Sequence, residues 1–176
     1  DCFNAYNNIY FQIKYPSTSF KMINNLVTKI KSKFVSKNIQ IDLVLTSFDV
    51  SIKNSPYIKI DKSIRIIPKE AFLNCSLLTQ IIIPSSVTEI GDSSFCGCSS
   101  LKHISIPSSI TLIGDNCFDH CEKLNQLKIP HSVTSIGNSA FESCYSLREI
   151  IIPSSVTSIG KNAFMGRSSL TQITIP

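Results

Sequence analysis

From residue 78 the chain repeats one arrangement of apolar and polar residues. Copies occupy 78–100, 101–123, 124–146 and 147–169, and a fifth begins as LTQITIP at 170–176. The period is 23 residues, without insertion or deletion. Self-similarity at such a period predicts a repeat solenoid, in which each copy buries its apolar face only by stacking on the next. Leu78, Leu101, Leu124, Leu147 and Leu170 open the copies. Apolar residues then follow at period two: Ile81/Ile83, Ile104/Ile106, Leu127/Ile129, Ile150/Ile152 and Ile173/Ile175. Alternation predicts a strand whose Ile and Leu point into the coil while the residues between point out. Pro84, Pro107, Pro130, Pro153 and Pro176 end these strands, because proline has no N–H to continue a ladder.

The rest of each copy predicts the other side of the coil. Val87/Ile90, Ile110/Ile113, Val133/Ile136 and Val156/Ile159 are spaced by three, as in an inward-facing turn, short strand or 3₁₀ segment. Gly91, Gly114, Gly137 and Gly160 follow at once, which implies either a positive φ or close approach of neighbouring coils. A small residue (Ser94, Cys117, Ala140, Ala163) then precedes Phe95, Phe118, Phe141 and Phe164, which fill the coil centre. Cys75, Cys98, Cys121 and Cys144 share one repeat position, so they are core residues first. Stacked sulfurs are close enough for a bridge, but parallel side-chain vectors do not favour the disulfide dihedral, and buried thiols are expected.

Upstream, residues 55–77 are a degenerate first repeat: Ile58, Ile60, Ile64, Ile67, Phe72 and Cys75 keep the register, and Pro68 stands for the glycine. Residues 1–54 do not follow the repeat. Within them 9–15, 39–45 and 48–54 read as strands. Phe20, Ile23, Val27, Ile30 and Phe34 form one face of a helix over about 19–36. The expected organisation is an N-terminal α/β cap, or the remnant of another domain, over 1–54, followed by repeats over 55–176.

Charge narrows the partners. The net +5 divides into +4 for residues 1–54 and +1 for 55–176. Near-neutral repeats lack the basic stripe that a nucleic acid needs. Lys29, Lys31, Lys33 and Lys37 belong to a solvated helix face, and the amphipathic helix is expected to pack on its neighbours. No run is long and apolar enough to span a membrane, and residues 1–15 lack the apolar core of a secretory signal. The chain does not begin with Met, and it is read as a fragment or processed form. No catalytic set, cofactor motif or metal site is expected. His103, His120 and His131 occupy different repeat positions, and Cys96-Gly97-Cys98 has no second pair at ligand spacing. Asn74-Cys75-Ser76 fits a glycosylation sequon, but Cys75 beside it is a core position.

The phrase LxxIxIPSSVTxIGxxAFxxCxS resembles the BspA-type (Treponema pallidum-like) leucine-rich repeats of bacterial surface proteins and protist surface antigens. The match is strong over 78–176, weak over 55–77 and absent from 1–54. The resemblance implies a right-handed leucine-rich-repeat coil with a parallel β-sheet on its concave face. It also implies a cell-surface protein that adheres to host, matrix or other cells.

Repeat letters that never change build the coil, so binding information lies in the outward strand positions. One column is Tyr57, Gln80, His103, Gln126, Glu149, Gln172, and the other is Lys59, Ile82, Ser105, Lys128, Ile151, Thr174. The proposed protein-binding residues are Gln80, Ile82, His103, Ser105, Gln126, Lys128, Glu149 and Ile151. Ile82 and Ile151 stand where polar residues are expected, and either β-propensity or a contact role accounts for them. Two functions fit: an adhesion module at the cell surface, or an intracellular protein-interaction scaffold in the cytoplasm, which the expected thiols favour. An uncapped last strand, ending LTQITIP, is expected to be an open edge available for end-to-end self-association.

Overall fold

A computed structural model describes residues 8–13, 40–45, 55–166 and 169–175. All thirteen elements in these residues are strands, and every pairing is parallel. β1 (Asn8–Ile13) and β2 (Gln40–Leu45) precede the coils. Each coil then contributes a three-residue strand to one side: β3 (Tyr57–Lys59), β5 (Gln80–Ile82), β7 (His103–Ser105), β9 (Gln126–Lys128), β11 (Glu149–Ile151) and β13 (Gln172–Thr174). The other side carries shorter ones: β4 (Ile64–Ile67), β6 (Glu89–Ile90), β8 (Leu112–Ile113), β10 (Ser135–Ile136) and β12 (Ser158–Ile159). The second side is therefore a strand, one of the three forms that its spacing allows.

Stacking follows the sequence period without slippage. Tyr57 pairs with Gln80, Gln80 with His103 and His103 with Gln126, a step of one period each time. The first side forms a sheet in the order β3-β5-β7-β9 and a separate pair β11-β13, with no ladder between β9 and β11. On the second side β8, β10 and β12 pair, and β6 continues through β4 to β2 and β1. The N-terminal strands thus extend the second-side sheet: Leu43 pairs with Ile64 and Val44 with Ile66. The predicted helix over about 19–36 and the predicted strand 48–54 lie outside the described residues.

The core runs as a column between the two sides. Leu78, Leu101, Leu124 and Leu147 are fully buried, as are Phe95, Phe118 and Phe141. Phe72, Phe95, Phe118, Phe141 and Phe164 stack ring on ring, with centroids 5.1, 5.3, 5.4 and 5.7 Å apart and planes within 8° of parallel. Offset stacking of this kind adds to the burial of each ring. At the last strand the inward residues Ile173 and Ile175 are exposed.

Candidate functional site

The first-side sheet shows the alternation that its sequence predicts. In β5, β7 and β11 the central residue is buried and its two neighbours are exposed. β9 keeps the order with Leu127 half-buried. All eight proposed contact residues are exposed, and all eight line one open groove of about 850 Å³ that crosses β5, β7, β9 and β11. Ile82 is 40% exposed and Ile151 64%, an apolar residue at either end of a polar middle. Asn125, His131 and Pro153 also line the groove, outside the strands. His131 stands where the other three copies have Ser85, Ser108 and Ser154, and that departure is its signal in the sequence.

Hydrogen bonds between coils, on and around the second side, hold the stack in register. Ser132 and Ser155 donate their hydroxyls to the Ile110 and Val133 carbonyls of the preceding coil at 2.6 and 2.7 Å, and Ser109 does the same to Val87. Thr134 and Thr157 donate to the Thr111 and Thr134 carbonyls, each at 3.2 Å. Asp115 accepts the Asn138 N–H at 2.7 Å, and Asn138 accepts the Lys161 N–H at 2.9 Å. The second Ser and the Thr of PSSVT are thus structural, though the periodicity of apolar residues does not reveal it.

The repeat glycines are present for close approach. A Cβ on Gly137 would lie 2.6 Å from the Asp115 nitrogen, and one on Gly160 would lie 2.4 Å from the Asn138 nitrogen. Positive φ occurs elsewhere, at Ser93, Asn116, Ser139 and Asn162 (50–58°) and again at Gly97, His120, Ser143 and Gly166. Asn and Ser tolerate this region because their short polar side chains bond locally.

The cysteine column is a line of thiols, with no disulfide among the described cysteines. Cys98, Cys121 and Cys144 each donate S–H to a phenylalanine carbonyl of the coil before, Phe72, Phe95 and Phe118, at 3.2 Å. The side-chain bond with Cys75, and then burial, hold the Cys98 thiol far above its ordinary range. Burial, and then the neighbouring Cys144, do so for Cys121. Burial pushes the nearby Cys117 up to about 12.

Other reactive groups do not assemble into a catalytic set. His120 Nδ1 lies 2.7 Å from Asp119 Oδ1, and the Cys96 sulfur donates to Asp119 Oδ2 at 3.9 Å. The carboxylate thus stands between thiol and imidazole, so the ring is not placed to take the thiol proton. Burial first, and then the Asp119 charge, raise the Cys96 pKa, the opposite of nucleophile activation. Among the described residues no group of three or more His, Cys, Asp or Glu side chains is arranged to hold a metal ion. No helix there is long and apolar enough to cross a membrane.

Comparison with known proteins agrees with this geometry. Residues 46–171 match the BspA type leucine rich repeat region, in six copies. A leucine-rich repeat protein from Bacteroides ovatus is 36% identical, with a TM-score of 0.66 over 68% of this chain. A leucine rich cell surface protein from Faecalibacterium prausnitzii is 34% identical, with a TM-score of 0.70 over 74% of this chain. The T. pallidum leucine rich repeat protein is 30% identical, with a TM-score of 0.68 over 70%. The chain spans 33%, 34% and 60% of the length of these three proteins. A comparison with curated proteins finds no match. Leucine-rich repeats of this kind point to a protein-interaction module. With the family pattern covering most of its length and the stacked-coil geometry shared with these structures, the chain belongs to the BspA-type leucine-rich-repeat family.

Proposed function

We propose that the chain is a non-enzymatic recognition module of a cell surface, binding a host or matrix protein through the concave sheet. The observation that carries this reading is the groove: its eight strand contacts are all exposed, they differ from coil to coil, and they include Ile82 and Ile151. An apolar residue flanked by polar ones on a rigid face is the composition of a protein contact. The F. prausnitzii relative, named as a cell surface protein, supports the location.

The thiols favour an intracellular scaffold instead, since reduced cysteines are usual in the cytosol. Burial weakens that argument. Thiols packed inside the coil and held protonated resist oxidation in either compartment. Two experiments test the reading. Antibody labelling of intact cells should reveal the chain, and a signal seen only after permeabilisation would favour the scaffold. Substituting Ile82→Glu and Ile151→Glu together should abolish binding to host cells or immobilised matrix protein with the melting temperature kept. Unchanged binding would move the site off this face.

A further inference from the structure

The charge of the coils is not spread evenly. Residues 55–176 hold ten basic and nine acidic side chains. Four of the basic ones, Lys59, Lys102, Lys128 and Arg148, stand on the outward strand positions or on the residue just before each strand, with Glu149 the one carboxylate among them. Asn125, at the same repeat position as Lys102 and Arg148, lines the groove. All five charged residues are exposed, and none of them forms an ion pair among the described residues. The strand face therefore carries +3, while the remaining six basic and eight acidic residues leave −2 on the rest of the coils. A near-neutral total conceals a positive strand face on a negative body, and of its charged residues Lys128 and Glu149 line the groove itself.

Spacing supplies the second constraint. Ile82 and Ile151 share a repeat position three coils apart. Three strand spacings amount to roughly 14 Å, with the last step, from β9 to β11, not fixed by a ladder. An extended chain advances roughly 3.3 Å per residue and returns to the same face at every second residue. Side chains i and i+4 of an extended segment therefore span roughly 13 Å on one face, which brings both within side-chain reach of the two isoleucines. Residue i+2 then falls between Ser105 and Lys128, within reach of the lysine. Glu149, two residues before Ile151, disfavours a second carboxylate at that end.

We propose that the groove binds an extended acidic protein segment lying along the solenoid axis, with apolar residues at i and i+4 on Ile82 and Ile151 and a carboxylate at i+2 meeting Lys128. This inference rests on the concave-face reading and narrows it to a class of partner. An anionic glycan would satisfy the charges but leave the paired isoleucines without a role.

Selection from a phage-displayed library of random peptides of about twelve residues tests the proposal. Selection runs against the chain, and survivors are measured on the Ile82→Glu/Ile151→Glu and Lys128→Glu variants, with folding checked by circular dichroism. The expected survivors carry Asp or Glu midway between two apolar residues four apart. Their affinity falls about tenfold or more on Lys128→Glu and falls again as salt screens the charges. Moving the second apolar residue to i+3 should cost a similar factor, because it then faces away from the sheet. Survivors that need the two isoleucines but show no acidic i, i+4 pattern overturn this proposal and leave the groove reading standing. Survivors indifferent to the double variant overturn both. Salt-sensitive binding of heparin to the groove, with no peptide enriched, overturns the protein partner in favour of a glycan.

Discussion

At the residue scale, the same letter does different work at different positions. Gly91, Gly114, Gly137 and Gly160 recur in every full copy, yet the backbone reason is proximity: a Cβ on Gly137 would meet the Asp115 nitrogen of the preceding coil. The positions with positive φ are held mainly by Ser and Asn, and only Gly97 and Gly166 among them are glycine. A repeated glycine in a sequence signals either cause, and only the distance to the neighbouring coil separates them. The thiols carry a prediction with a definite sign. Cys117 has its pKa raised from 9.0 to about 12 when folded, chiefly by burial. Above pH 9 the unfolded chain releases that proton while the folded chain keeps it. Stability contributed by the neutral thiol is therefore fully present below about pH 9 and is lost as pH rises toward 12. Urea denaturation at a series of pH values should show the unfolding free energy falling by up to about 1.4 kcal/mol per pH unit for each such thiol. Cys117→Ala should remove one thiol's share of that slope. An unchanged slope in the variant would show that Cys117 is not the group that titrates.

At the element scale, the coils are held by ladders that run along the stack rather than by any one strand. Strands of two or three residues could not persist alone, and each is fixed by identical neighbours one period away. The phenylalanine ladder is the clearest case. Phe118 is fully buried, with rings on both sides at 5.3 and 5.4 Å. Phe118→Ala should cost about 3–5 kcal/mol, read from chemical denaturation, because rigid coils on either side cannot collapse into the gap. A loss under about 1 kcal/mol would mean that the coils slide to fill it. Between β9 and β11 the first-side ladder is absent, while β10 and β12 on the far side still pair. Both β9 and β11 line the groove, so this break lies within the candidate surface. No period-two pattern could reveal it, because the inward Leu127 and Ile150 look alike in sequence.

At the scale of the whole molecule, stability is close to a sum of coil and interface contributions, since each coil touches only its neighbours. Removing one full period should therefore preserve the fold. A chain lacking residues 101–123 should give the same β-type circular dichroism and one cooperative transition at a lower temperature. A chain lacking 101–112, about half a period, should lose that cooperativity, because the partial coil it leaves cannot close and its neighbours cannot stack on it. Equal behaviour of the two deletions would show that register does not govern the stack. The charge asymmetry also belongs to this scale. Lys59, Lys102, Lys128 and Arg148 are far apart in sequence, and the stacking of coils gathers them on one strand face, with Lys128 in the groove.

The period, the register, the inward and outward residues, and hence the side chains that line the groove's strands, are all legible in the chain's own pattern. Those features follow from local alternation and from a repeat without insertions, so translation along the chain becomes translation along the stack. Tertiary structure decided the rest. It distinguished close approach from positive φ at the glycines, and it placed Asn125, His131 and Pro153 in the groove beside the strands. It paired β2 with β4, joining the N-terminal strands to the second side. These outcomes depend on distances between coils and on the path of the backbone between strands, which no periodicity of apolar residues encodes.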